Sequence, residues 1–161
     1  MNATEKKTVY QALLVGAIAG ARAGSAPALI SSLVDDAAPQ FNPPKLLKFF
    51  GKPVVGKGLK FMAGTEFIMD KSPWVGDRIV PQSLVVRTIS GAVAGAVVAQ
   101  VNRQKVALGI VAGGLAAIAS TYGLFYLRKT LSQKAHIPDT LLGLAEDALV
   151  VSSSKSFLKN A

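Results

Sequence analysis

Three stretches of this 161-residue chain, Tyr10–Val34, Leu84–Val101 and Val106–Leu127, are long and apolar enough to cross the hydrocarbon core of a bilayer. About 20 helical residues suffice for a crossing, and in lipid a segment must satisfy its own backbone hydrogen bonds. A fourth stretch, Thr140–Phe157, is apolar but carries Glu146 and Asp147 side by side; a fifth, Leu59–Asp70, is short and charged. Alanine, glycine and leucine dominate the runs and strict alternation is nearly absent, so they read as helices rather than as strands of a barrel. The expectation is an all-α polytopic membrane helix bundle of about five hydrophobic segments, with residues 1–161 forming a single membrane domain. The alternative is a soluble, very apolar helical protein. A cleaved leader is a rival reading of the first run alone, because Lys6 and Lys7 precede it and Ala19, Gly20 and Ala21 imitate a cleavage site.

Eighteen Lys and Arg against nine Asp and Glu leave a net charge of +9. Most of the cations stand in the polar gaps between apolar runs, not on one face among aromatics, which argues for membrane boundaries and against nucleic acid. Residues 1–9 read as a charged tail, 35–58 as a proline- and lysine-rich interfacial loop, and 71–83 as a turn region with Pro73, Trp74 and Pro81. Lys45, Lys48, Lys52, Lys57 and Lys60 would reach lipid headgroups while Phe49 and Phe50 dip inward. Alternating the loops between the two sides puts Lys6, Lys7, Lys71, Arg78, Arg128, Lys129 and Lys134 on one side. It puts Lys45–Lys60, Arg103, Lys105, Lys155 and Lys159 on the other, a split too even to orient the chain.

Several chemistries drop out. There is no cysteine, and His136 is the single histidine, so no metal and no cofactor is expected. Gly51–Gly58, GKPVVGKG, matches a phosphate-binding loop until Gly58 stands where Ser or Thr must hold magnesium, and no strand precedes it. Ser152, Ser153 and Ser154 have no visible base to activate them.

What remains are small residues and stranded charges. Gly16, Gly20 and Gly24, then Gly91 with Gly95, then Gly109 with Gly113, recur at four-residue spacing, which lines one helix face with bare backbone. Such faces pack closely in lipid; the same glycines would weaken a soluble helix by about 1 kcal/mol each. Arg22 and Arg87 stand alone in apolar runs, and Glu66, Asp70, Lys71, Glu146 and Asp147 lie within or beside others. Intramembrane charges are costly, face the protein interior and meet partners, so the arginines are expected to converge with acids of the second and last helices. The order of parts also suggests an inverted repeat: Val15–Val34 followed by TEFIMD, and Ala112–Leu131 followed by AEDALV, with one extra helix between.

The motifs GARAG, EFIMDKSPWVGDR, RTISGAVAGA and LAEDALV together resemble the bacterial membrane proteins grouped as domain-of-unknown-function family four-one-two-six, over about Leu14 to Val151. The resemblance implies a small polytopic membrane protein without an assigned activity. It carries over Arg22, Glu66, Asp70, Lys71, Pro73, Asp77, Arg87, Gly91, Glu146 and Asp147 as the polar and small residues of those motifs.

Two function classes stay open. One is a small transporter- or channel-like protein with a carboxylate/arginine site for a proton, ion or anionic solute. The other is a non-transporting scaffold or lipid-binding protein whose charges form structural salt bridges. An intramembrane enzyme is a third, weaker reading, since no nucleophile accompanies the acids. Membrane lipid is the expected partner, a homodimer through spare glycine faces a further one, and the bacterial inner membrane the expected location.

Overall fold

The structure, a computed structural model, describes residues 2–37, 45–69, 81–135 and 139–160. All regular structure among them is helical: α1 (Ala3–Ala21), α2 (Ser25–Ala37), α3 (Lys45–Phe50), α4 (Pro53–Met69), α5 (Pro81–Val101), α6 (Val106–Ala135) and α7 (Asp139–Asn160). Helix α1 begins within the expected tail. Glu5 Oε2 accepts the Asn2 backbone N–H at 2.8 Å, so a carboxylate three residues on closes the first turn. Inside the expected 35–58 loop, α3 and the start of α4 are also helical, and Pro81–Ser83 of the expected turn region open α5. Pro53 and Pro81 both stand at first helical positions, where a missing N–H costs nothing. Residues 71–80 lie outside the described residues.

The first apolar run is not one spanning helix. It stops at Ala21, turns through Arg22, Ala23 and Gly24, and resumes as α2. Pro27 explains the break, because in a continuous helix its ring would clash with the carbonyl of Ala23 and leave that oxygen without a donor. Arg22 leaves the helix in an extended conformation, φ −143° and ψ 115°. Gly24 therefore sits in the turn rather than on a helix face, contrary to its expected packing role.

Helices α1, α5 and α6 pack most extensively and form the centre. Gly20 of α1 faces Ser120 and Thr121 of α6, and Gly16 faces Gly113, so α1 and α6 run parallel. Gly91 lies against Gly113 and Gly95 against Gly109, which makes α5 and α6 antiparallel. A Cβ at Gly91 would stand 2.6 Å from the carbonyl oxygen of Gly113, and at Gly16, Gly20, Gly95, Gly109 or Gly113 it would come closer still to a carbonyl of the facing helix. Only backbone without a side chain fits between these pairs.

The parallel course of α1 and α6 overturns the inverted repeat, whose leading helices would point in opposite directions. The cause is the segment between α1 and α5. Arg87, near the start of α5, bonds the last carbonyls of α1, while Asn102, just past its end, bonds Gln11 at 2.7 Å. Helices α2 to α4 thus leave and return at the same end of α1 without a net crossing, and α2 packs on α4 and α5. The basic residues redistribute accordingly: Lys6 and Lys7 share one end with Arg103, Lys105, Lys155 and Lys159, instead of lying opposite them.

The turn from α5 to α6 closes with Arg103 N–H to Gln100 O at 3.0 Å and Gln104 N–H to Ala99 O at 2.8 Å. That pattern requires a left-handed residue after the helix, and Arg103 takes φ 55° in a place usually given to glycine.

Candidate functional site: the break between α1 and α2

Five helices converge on residues 20–24. Gln11 marks the level of the α5–α6 turn; Arg22 lies eleven residues further, about 16 Å along α1. A helix that ends inside the protein leaves carbonyls without intrahelical partners, so side-chain donors must reach them.

They do. Arg87 Nη1 donates to Gly20 O and Ala21 O, both at 2.7 Å, and its Nε donates to Ser83 Oγ at 3.2 Å. Thr121 Oγ1 donates to Gly20 O at 3.2 Å and to Ala117 O at 2.7 Å. Ser90 Oγ donates at 2.6 Å to Ala23 O, the acceptor that Pro27 cannot serve. One turn below, Ser120 Oγ donates to Ala17 O at 2.8 Å. These side chains stand in for the missing helical amides.

Arg22 itself is 2% exposed and directs its guanidinium to Asp147 of α7, with Nε 2.8 Å from Oδ1 and Nη2 on the same oxygen. The two residues are 125 positions apart, and the Asp147 side chain is 14% exposed. Glu146, its neighbour, is buried at 7%. So the structure brings Arg22, Arg87 and Asp147 to the two sides of one helix break, with Glu146 beside them in sequence and buried. Arg87 bonds two backbone carbonyls and a serine; the acids of the second helix expected to meet it fall where side chains are not described. Glu66 lies on α4, of which only the backbone is described there, and Asp70 and Lys71 fall outside the described residues. Lys48, Lys52, Lys57 and Lys60 are exposed, Lys45 opens α3, and Phe49 is half exposed. Phe50, expected to dip into lipid, is instead buried in the protein core, and its carbonyl accepts Ser31 Oγ at 2.8 Å.

Sequence reasoning missed Ser83, Ser90 and Thr121, because hydroxyl residues in an alanine-rich helix give no periodic signal. It could have found the break: a proline inside an apolar run marks the carbonyl four residues earlier as an orphan. Among the described residues no group of three His, Cys, Asp or Glu could hold a metal.

Large apolar side chains also stand on the outer surface. Val85, Val86 and Ile89 of α5, Val111, Leu115, Tyr126 and Leu127 of α6, and Leu141 and Leu149 of α7 are all more than half exposed, while Arg22 is the largest of the fully buried side chains. Among the described residues two helices, Pro81–Val101 and Val106–Lys134, are long and apolar enough to cross a membrane, each with an 18-residue stretch of mean hydropathy 1.7.

Neither a curated protein nor a solved structure matches the chain. A family model described as a domain of unknown function, DUF4126, matches residues 9–155, which takes in the broken first helix, the central glycine pairs and the last helix with Asp147. The chain belongs to the DUF4126 family.

Proposed function

We propose that this chain is an integral membrane protein that passes a proton or small ion at the break between α1 and α2, with Asp147 and Glu146 as the carboxylates that take up and release charge and Arg22 and Arg87 as fixed counter-charges. The interruption at Arg22–Gly24 carries this reading. Discontinuous helices near the midplane are where transporters place their ion and substrate sites, since the unwound backbone and half-helix ends supply ligands there. Close glycine contacts between α1, α5 and α6 support a rigid central unit. Helix α7, which brings the carboxylates, packs more sparsely on α1, α2 and α6, and so is the element suited to move. The setting this implies is the bacterial inner membrane.

The test is flux into protein-containing vesicles loaded with a pH-sensitive dye, under an imposed potential or ion gradient. Asp147→Asn and Glu146→Gln variants that stay folded and monodisperse should lose the flux of the parent protein. Flux no greater than in empty vesicles, or unchanged in both folded variants, overturns the reading.

One observation favours a second reading, a scaffold whose charges hold the fold. Arg22 is sealed at 2% exposure, and the break's carbonyls at Gly20, Ala21 and Ala23 all have donors. On that reading every substitution at the pair lowers stability and no flux exists to lose. The exposed Lys48, Lys52, Lys57 and Lys60 would then serve lipid contact.

A further inference from the structure

A second feature lies away from the helix break, on the other half of α1. Between α1 and α7 runs an open groove of about 360 Å³, lined by Tyr10 and Leu14 on one side and Ser152, Ser153 and Ser156 on the other. That volume falls at the small end of ligand clefts, which run from about 300 Å³ upwards.

Its chemistry is ordered by depth. Residues three or four apart share a helix face, about 5–6 Å apart along the axis. From Leu14 the face of α1 passes to Tyr10 and then to Lys6 and Lys7. On α7, which runs the opposite way, it passes from Leu149, 62% exposed, to Ser152 and Ser153, then Ser156, with Lys155 and Lys159 one turn beyond Ser152 and Ser156. Apolar side chains thus lie deepest, hydroxyls next and cations outermost. The boundary is set independently by Gln11 bonded to Asn102 at the α5–α6 turn, which puts Tyr10 at the level where aromatic belts sit. Glu5, the acid nearest this end of α1, is held at the helix start by Asn2.

We infer that the α1–α7 groove is a site for an anionic phospholipid, with the phosphate between Lys6, Lys7, Lys155 and Lys159, the glycerol and ester oxygens against the serine hydroxyls and Tyr10, and an acyl chain along Leu14 and Leu149. The same sequence of apolar, hydroxyl and cationic groups matches the order of acyl chain, ester and phosphate along such a lipid. Phosphate is the shared chemistry of a headgroup and a free ion; Leu14 in the groove wall, with Leu149 one turn deeper than Ser152 on α7, commits the site to the lipid. It stands independently of any transport activity.

Thermal unfolding of the purified protein in mild detergent tests it, with added phosphatidylglycerol, phosphatidylcholine or inorganic phosphate. Phosphatidylglycerol near saturation should raise Tm by about 5 °C or more above the phosphatidylcholine value. Replacing Lys6, Lys7, Lys155 and Lys159 together by Gln, all exposed and remote from the core, should remove at least half of that difference, as should Ser152→Leu with Ser156→Leu, which fills the groove. Lys129→Gln with Lys134→Gln, in the last turns of α6 at the opposite end of the molecule, should leave it intact. Equal shifts with both lipids, a selective shift that survives the four lysine changes, or an equal shift with inorganic phosphate each overturn the proposal.

Discussion

Arg22 and Arg87 carry the same charge and solve different problems. Arg22 meets a carboxylate from a distant helix, whereas Arg87 lies across two carbonyls that end α1 and takes the place of two amides. Removing one member of a buried ion pair leaves an uncompensated charge, so Arg22→Ala should lower unfolding stability in detergent by about 3–5 kcal/mol. The double change Arg22→Ala with Asp147→Ala should cost less than Arg22→Ala alone, because no charge is then stranded. Additive losses in that double-mutant cycle would show that the pair contributes nothing as a pair. Arg87→Lys keeps the charge but removes the Nε–H that meets Ser83 Oγ while Nη1 meets both carbonyls; losing that bond should cost about 0.5–1.5 kcal/mol, which denaturant titration would register.

Among the helices, the glycines divide by what faces them. Gly95 and Gly113 touch backbone across the α5–α6 contact, while nothing lies within 4 Å of where a Cβ would sit at Gly123. Gly95→Ala or Gly113→Ala should therefore force the two helices apart and lower Tm. Gly123→Ala should hold or raise stability by up to about 1 kcal/mol, as expected when only helix propensity changes. The α5–α6 turn offers the opposite case: Arg103 holds a left-handed backbone, so Arg103→Gly should stabilise by about 1 kcal/mol in the same assay. Side-chain burial points the same way as these contacts. The sides of α5 and α6 that face each other are glycine and alanine, and their outer sides carry the large aliphatic residues.

Over the described residues, Arg22, Arg87 and Glu146 are buried beside an aliphatic core while many large apolar side chains are exposed, an arrangement that suits lipid better than water. Transfer from detergent to aqueous buffer should drive the protein into aggregates, read by light scattering, while lipid nanodiscs keep it monodisperse. The helical content and the two long apolar spans could be read from the runs of Leu84–Val101 and Val106–Leu127, because length and composition alone set them. The three-helix centre could not. Which glycine meets which depends on the direction of each helix, and direction depended on whether 25–69 returns to the same end of α1.

The residues by themselves determined that the chain is helical, that its runs suit a bilayer, and that Arg22 needs an opposite charge, since each follows from local composition and the energy of burying a charge. Tertiary structure alone decided that Asp147 answers Arg22, that Arg87 reaches the carbonyls ending α1, and that six cations share one end. Those outcomes turn on one local event, the break ahead of Pro27, whose consequences depend on which helices stand close enough to fill it.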